Sequence, residues 1–405
     1  MPDWKRNLYI LWLGLFFNHM SYTLSVPFFP LFLQNDLGIE SGLEVWSGVS
    51  ISISFLISGL CAPFWGSLAD KYGSKLMLIR SGVGLAIAHS ANYFVQDPYT
   101  FIAVRVFQGL MAGFNPASIT LVGTNTPEKH VGYALGVIST STAAGGILGP
   151  LAGGVLSQWI GLRGCFIASG IITLFSALLV LGVKESRRSH KVASTSILGD
   201  LKRAASTPGL MRIYGLILLV STSVLIIEPV LTLYVVQIGG DISHATLSAG
   251  IVFSVIGVAT VIMGPKWGKI GGRIGYEKTL FIGLIGGGIG SLLQLTAYNL
   301  VYFGSLRFIY GLFFAAVYPA LNALIIKYAE HEFRGRAVSL SQTASQFGIV
   351  LGPLIGGFLG GWTGIPFIFL LTGIVLLGAA WVVKVSDMKP LNKSDRITHE
   401  NIGRT

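Results

Sequence analysis

The chain repeats itself, and the repeat limits what it can fold into. Pro63, Trp65, Gly66 and Gly73 surround a charged turn, and Pro265, Trp267, Gly268 and Gly275 stand 202 positions further on. Pro27, Arg105 and Gly109 recur at that offset as Pro229, Arg307 and Gly311. One residue is then inserted and the register continues at 203, in Gly132/Gly335, Gly145/Gly348, Gly149/Gly352, Pro150/Pro353, Gly153/Gly356 and Trp159/Trp362. Two homologous halves in one apolar chain predict two bundles with a pathway at their pseudo-symmetry interface.

Composition identifies the solvent. Of the 405 residues 52% are hydrophobic and 11% charged, too little charge to cover a water-soluble surface. A span takes about 20 mostly apolar residues. Twelve such runs are read near 8–33, 46–68, 76–96, 99–124, 132–158, 164–183, 210–238, 246–265, 279–297, 300–326, 336–360 and 364–384. The expected fold is an all-α integral membrane protein of twelve transmembrane helices in two pseudo-symmetric six-helix bundles. Its parts are an N-terminal bundle over 1–184, a cytoplasmic linker over 185–209, a C-terminal bundle over 210–386 and a polar tail over 387–405.

The net charge of +11 suggests nucleic acid until it is mapped. All but three of the 28 Lys and Arg fall in segments that share one side of the membrane. Arg163 sits in an opposite loop, and Arg105 and Arg307 lie inside spans. This is the positive-inside pattern; it puts both termini in the cytoplasm and excludes a nucleic-acid partner. The first run is too long for a signal-peptide core and is expected to remain as a helix. Cys61 and Cys165 lie in apolar runs and are expected to be reduced, packed thiols. In the linker, Ile197, Leu198 and Leu201 beside Lys202 and Arg203 suggest a short helix on the membrane surface. No hydrolytic triad, metal-spaced His/Cys set, Walker loop or heme motif is present, so neither an enzyme nor a metal or cofactor is expected.

Four motifs carry function. The turn after the second run reads Gly66-Ser-Leu-Ala-Asp70-Lys71-Tyr-Gly73-Ser-Lys75, with glycines for a tight turn and an anion able to cap or pair. The fourth run carries Arg105-x-x-Gln108-Gly109; an arginine there costs about 3 kcal/mol unless it faces protein or water. The fifth reads Gly136-x8-Gly145-x3-Gly149-Pro150-x2-Gly153, spacings that let helices touch backbone to backbone around a bend. The first ends Pro27-Phe-Phe-Pro30. Glu228, beside Pro229, is the one acid that the hydropathy reading places inside a span. There a carboxyl can take up a proton from one side and release it when a cationic compound or a conformational change arrives. A solvated position near the outer mouth is its alternative, and His19 is either a second titrating group or a packing residue. Asn18, Tyr22, Gln108, Asn115, Tyr310, Tyr318, Asn322, Gln342 and Gln346 recur along pathway helices and are candidate substrate contacts; each could equally be an interhelical bond.

The turn at Gly66–Lys75 resembles the signature loop of the major facilitator superfamily, with Ser74 in place of a basic residue. The Gly136–Gly153 pattern is similar to the antiporter motif of that family's twelve-helix drug:proton antiporters. Arg105-x-x-Gln108-Gly109 is similar to its third motif. The resemblance runs from Pro27 to Gly357 and implies a proton-coupled exporter of amphipathic compounds, cations among them, in a bacterial plasma membrane. It would be driven by the proton gradient and work as a monomer. It also implies that Gly66, Asp70, Lys71, Gly73 and Lys75 clamp the halves on the cytoplasmic side, and that Arg105 takes part in proton relay; a helix-tethering role for Arg105 stays open. Gly272 stands where the second copy of the loop would hold an Asp, so the clamp is asymmetric. A transporter of one sugar or metabolite, and a non-transporting receptor on the same fold, are the rival readings.

Overall fold

The computed structural model describes residues 2–185, 207–239, 245–330 and 333–385. The proposed surface helix near 197–203 and the tail after 387 lie outside them. The described residues form helices α1 (Asp3–Ser25), α2 (Phe29–Asn35), α3 (Leu43–Tyr72), α4 (Ser74–Ala91), α5 (Pro98–Met111), α6 (Phe114–Asn125) and α7 (Glu128–Val180). There follow α8 (Pro208–Leu225), α9 (Glu228–Gly239), α10 (Ala245–Ile274), α11 (Tyr276–Leu293), α12 (Leu300–Phe314), α13 (Val317–Tyr328), α14 (Arg334–Thr363) and α15 (Ile365–Val385). Among the described residues, eight helical stretches are long and apolar enough to cross a membrane. One of them, within α7, holds two spans, because Gly161 breaks the helix with a φ of +71°. The pairs α1/α2 and α5/α6, together with α4, complete twelve.

Four of these spans are broken, and the breaks obey the repeat. The first is interrupted by a 3-10 turn at Val26–Phe28 and the seventh at 226–227; the fourth is interrupted at 112–113 and the tenth at 315–316. A proline accompanies all four: Pro27, Pro116, Pro229 and Pro319 each lack the amide that would continue the helical ladder, and each stands in the first turn of the helical segment that follows the break or forms it. Hydropathy shows apolar runs here but is blind to such main-chain breaks. The third and ninth spans both start after a glycine in a positive-φ conformation, Gly73 (+96°) and Gly275 (+94°), which no other residue adopts without strain.

The end that carries the charged turns is here called the basic end, and the other the distal end. Toward the distal end the two halves meet along two seams, α3 against α14 and α10 against α7. Gly48 lies against the Pro353 carbonyl and Gly250 against that of Pro150; Gly357 lies against the Glu44 carbonyl and Gly154 against that of Thr246. These contacts are related by the sequence offset and leave no room for a Cβ. Phe28, from the first half, completes the distal core of the second with Ile226, Ile227, Val230 and Phe369. Toward the basic end the same helices part: a Cβ on Gly59, Gly66, Gly136, Gly264 or Gly268 would meet nothing within 4 Å.

Within each half, tryptophan locks matching helices together. Trp65 Nε1 donates to the Leu110 carbonyl at 2.9 Å, and Trp267 Nε1 to that of Leu312 at 2.7 Å. Arg163 gathers the distal loops of the first half, donating to Asp36 at 3.0 Å and to the Tyr93 and Val95 carbonyls, each at 2.7 Å. Both cysteines are free, Cys165 buried and Cys61 half-buried.

Candidate functional site

Glu228 is the first residue of α9, at the break of the seventh span. The break is anchored across the halves, because Thr232 Oγ1 donates to the Pro27 carbonyl at the break of the first span. This brings the half-buried Glu228 carboxyl within electrostatic reach of Arg105 and Tyr22, both from the other half. Arg105 is fully buried. Its Nε donates to the Ser50 carbonyl at 3.0 Å, its Nη1 donates to Gln108 Oε1, and its guanidinium lies 4.7 Å from the Phe29 ring centre. Arg105 Nη2 and the Tyr22 hydroxyl make no well-formed hydrogen bond, and they lie close enough to interact with each other. The leftover donors belong to the two groups that share the field of Glu228.

Arg105 tethers two spans through its Nε, which holds the second, while its Nη1 bond to Gln108 stays within the fourth; its charge attracts a carboxylate on the opposite bundle. In a low-dielectric interior that attraction is large, and it vanishes when the carboxylate is protonated. The second half keeps the arginine without this arrangement. Positions matching Ser50, Gln108 and Glu228 hold Val252, Tyr310 and Val26. Arg307 reaches Gln294 Oε1 at 3.3 Å and leaves its Nε unpartnered. The cluster is a feature of one half only.

His19 lies one turn from Tyr22, the ring centres 6.4 Å apart, and faces Gly145 and Gly146 of the fifth span. Gly145, Gly149 and Gly153 press on the backbone of α1 at Phe16, Met20 and Leu24, so the glycine motif seats the first span inside its own bundle. Pro150 and Gly154 make the contact with the other half, and Gly136 faces open space.

The candidate substrate contacts divide. Gln108 and Tyr310 are buried, Gln108 engaged by Arg105 and Tyr310 stacked 5.3 Å from Phe314. Asn18, Tyr22 and Gln346 are half-buried; Asn115, Tyr318, Asn322 and Gln342 are exposed. Tyr318 shares a 3.3 Å hydrogen bond with Ser221. Hence Gln108 and Tyr310 are engaged in packing, and the exposed members of the set lie on α6, α13 and α14.

In the charged turn Gly66, Asp70 and Lys71 are exposed, and Asp70 has no ion pair among the described residues. Lys75 Nζ instead donates to the Leu181 and Val183 carbonyls at 2.8 and 2.7 Å, capping the sixth span of its own half. Glu185 returns the contact, accepting from the Ser74 amide at 2.8 Å and the Lys75 amide at 3.3 Å. Among the described residues no bond from this turn reaches the other half. Glu185, Ser50, Phe29 and Thr232 were not singled out from sequence. Glu185 reads there as one more linker charge, and the others bond main chain or stack on rings, which residue type does not announce.

The Major Facilitator Superfamily model matches residues 11–292 and 239–401. The chain is 37% identical over 391 residues to the multidrug resistance protein MdtG of Citrobacter koseri, covering 94% of each. It is 35% identical over 388 residues to MdtG of Escherichia coli K12, again covering 94% of each. Among solved structures it superposes on a bacterial homologue of the human lysosomal transporter Spinster, in an inward-facing and occupied conformation. The TM-score is 0.81 at 14% identity, over 95% of this chain and 97% of that one. The nucleoside transporter NupG follows at a TM-score of 0.75 and 14% identity, over 93% and 98%.

Proposed function

The chain belongs to the Major Facilitator Superfamily, and we propose that it exports amphipathic compounds, cations among them, in exchange for protons. The carrying observation is the meeting of the breaks of the first and seventh spans at the Thr232–Pro27 bond, which sets Glu228 in the field of Arg105 and Tyr22 of the other half. The kinship with multidrug resistance proteins supplies the cargo class. The positive-inside pattern makes the basic end cytoplasmic, with both termini there. The arrangement described is then inward-open: sealed along the distal seams, parted at the cytoplasmic end, with the signature loop disengaged.

Cargo enters from the cytoplasm among the exposed groups Asn115, Tyr318, Asn322 and Gln342, with Asn18 and Gln346 deeper. Apolar walls with few fixed hydrogen bonds admit varied ligands. The bundles, 1–184 and 210–386, rock about the sealed region; a proton taken up by Glu228 from outside loosens its hold on Arg105 and favours one state, and its release favours the other. His19, beside Tyr22, completes the polar path. One chain encloses the whole pathway, so a monomer suffices. The proton gradient supplies the energy, each charge moved contributing about 2.3 kcal/mol per 100 mV.

The test is uptake of a lipophilic cation into inverted proteoliposomes under an imposed proton gradient. Glu228→Gln should abolish gradient-driven transport while the protein still folds and still binds the cation. Undiminished transport in that variant would reject the role of Glu228; saturation by one sugar, with no competition from lipophilic cations, would reject the cargo class.

A further inference from the structure

Two serines are placed where they can decide which way the molecule faces. Ser52, on α3, donates its hydroxyl to the Val350 carbonyl of α14 at 2.7 Å. Ser254, on α10, donates to the Ile147 carbonyl of α7 at 2.6 Å. Both serines are buried. Each bond runs from one half to the other, and the two are images under the repeat: 52 and 254 differ by 202, and 147 and 350 by 203. On α3 the seam contacts Glu44, Gly48 and Ser52 follow one another at one-turn intervals, and on α10 so do Thr246, Gly250 and Ser254. On α3 the serine is the last rung before Gly59, and on α10 only Gly257, against Ile147, lies between the serine and the open space at Gly264.

The acceptors are equally specific. Val350 precedes Pro353 by three residues, and Ile147 precedes Pro150 by three. A proline inside a helix lacks the amide that would bond the carbonyl four residues back, Ile349 for Pro353 and Gly146 for Pro150, and it bends the turn in which Val350 and Ile147 stand one residue on. The Gly-Pro element of the fifth and eleventh spans thus presents a carbonyl on the face that meets the opposite bundle, and a serine takes it. Serine mid-helix ordinarily bonds back to its own preceding turn, as Ser47 does to the Leu43 carbonyl at 2.7 Å. Ser52 and Ser254 reach across instead.

We propose that Ser52 and Ser254 are paired latches that hold the distal seams shut and set the balance between inward-open and outward-open forms. This rests on the alternating-access reading above and adds to it the residues that bias the equilibrium. Neither touches cargo or the proton site; they position the bundles. Distal opening must break both bonds, so losing either should favour the outward-open form.

The full-length protein, with Cys61 and Cys165 replaced by alanine, is reconstituted in lipid nanodiscs carrying one of two spin-label pairs. Phe94→Cys with Tyr298→Cys reports the distal end, and Tyr72→Cys with Ile274→Cys the basic end. Ser52→Ala and Ser254→Ala should each raise the outward-to-inward ratio by about 3- to 10-fold, and together by roughly the product. Ser47→Ala, whose bond stays within its own helix, should leave the distances unmoved and so separates a latch from general loosening. Interconverting wild type with unmoved Ser52→Ala and Ser254→Ala populations overturns the latch alone. Wild type and variants all fixed in one distance population overturn the transport cycle and the latch with it.

Discussion

At Arg105 a full charge is held inside a span by contacts that account for most but not all of its donors. Ser50 and Gln108 take two nitrogens, Phe29 covers one face, and the remainder of the charge is answered from the other bundle by Glu228. Arg105→Gln should therefore destabilise the protein by about 3 kcal/mol, because it leaves a carboxylate without its counter-charge. Combined with Glu228→Gln, the loss should fall short of the sum of the single losses by about 1 kcal/mol or more, since each variant already removes the shared attraction. Thermal unfolding of the four proteins in detergent measures this. Strict additivity would mean that the two groups do not sense each other.

Among the elements, the glycine motif of the fifth span performs two jobs that its spacing alone does not separate. Gly145, Gly149 and Gly153 seat the first span, while Pro150 and Gly154 meet the eighth. At Gly149 a Cβ would run into Thr23 and the Met20 carbonyl, so Gly149→Ala should cost about 2 kcal/mol through forced separation of the two helices. At Gly136 there is open space, and Gly136→Ala should be neutral or stabilise by up to about 1 kcal/mol, the usual gain in helix propensity. Equal melting temperatures for the two variants would contradict this division. The elements themselves were legible in the sequence, since an apolar run near span length leaves one fold option in lipid. The breaks carry a signal in Pro27, Pro116, Pro229 and Pro319, but Pro63, Pro150, Pro265 and Pro353 lie inside helices that continue through them, so proline alone does not place a break. Glu185 as a cap on α4, and Ser52 and Ser254 as cross-bundle donors, escaped notice because their partners are main-chain groups far away in sequence. The repeat offset that relates 52 to 254 was the available clue.

On the scale of the whole molecule, duplication gives two alike bundles and divergence makes one of them chemical. The distal seams keep the symmetry, down to matched glycines against matched carbonyls. The site abandons it: among the described residues only the first half's arginine lies in the field of a carboxylate from its neighbour. Symmetric seams let the halves rock either way, and the asymmetric cluster gives that motion something to count. The central claim is that Glu228 trades its proton as cargo crosses. It is tested most directly by loading proteoliposomes with a lipophilic cation, imposing no pH gradient, and following internal pH as the cation runs down its own gradient. Downhill efflux through the wild-type protein should acidify the interior, and Glu228→Gln should let no proton flow accompany the cation. A wild-type efflux that leaves the internal pH flat, or acidification that persists in Glu228→Gln, would contradict the account.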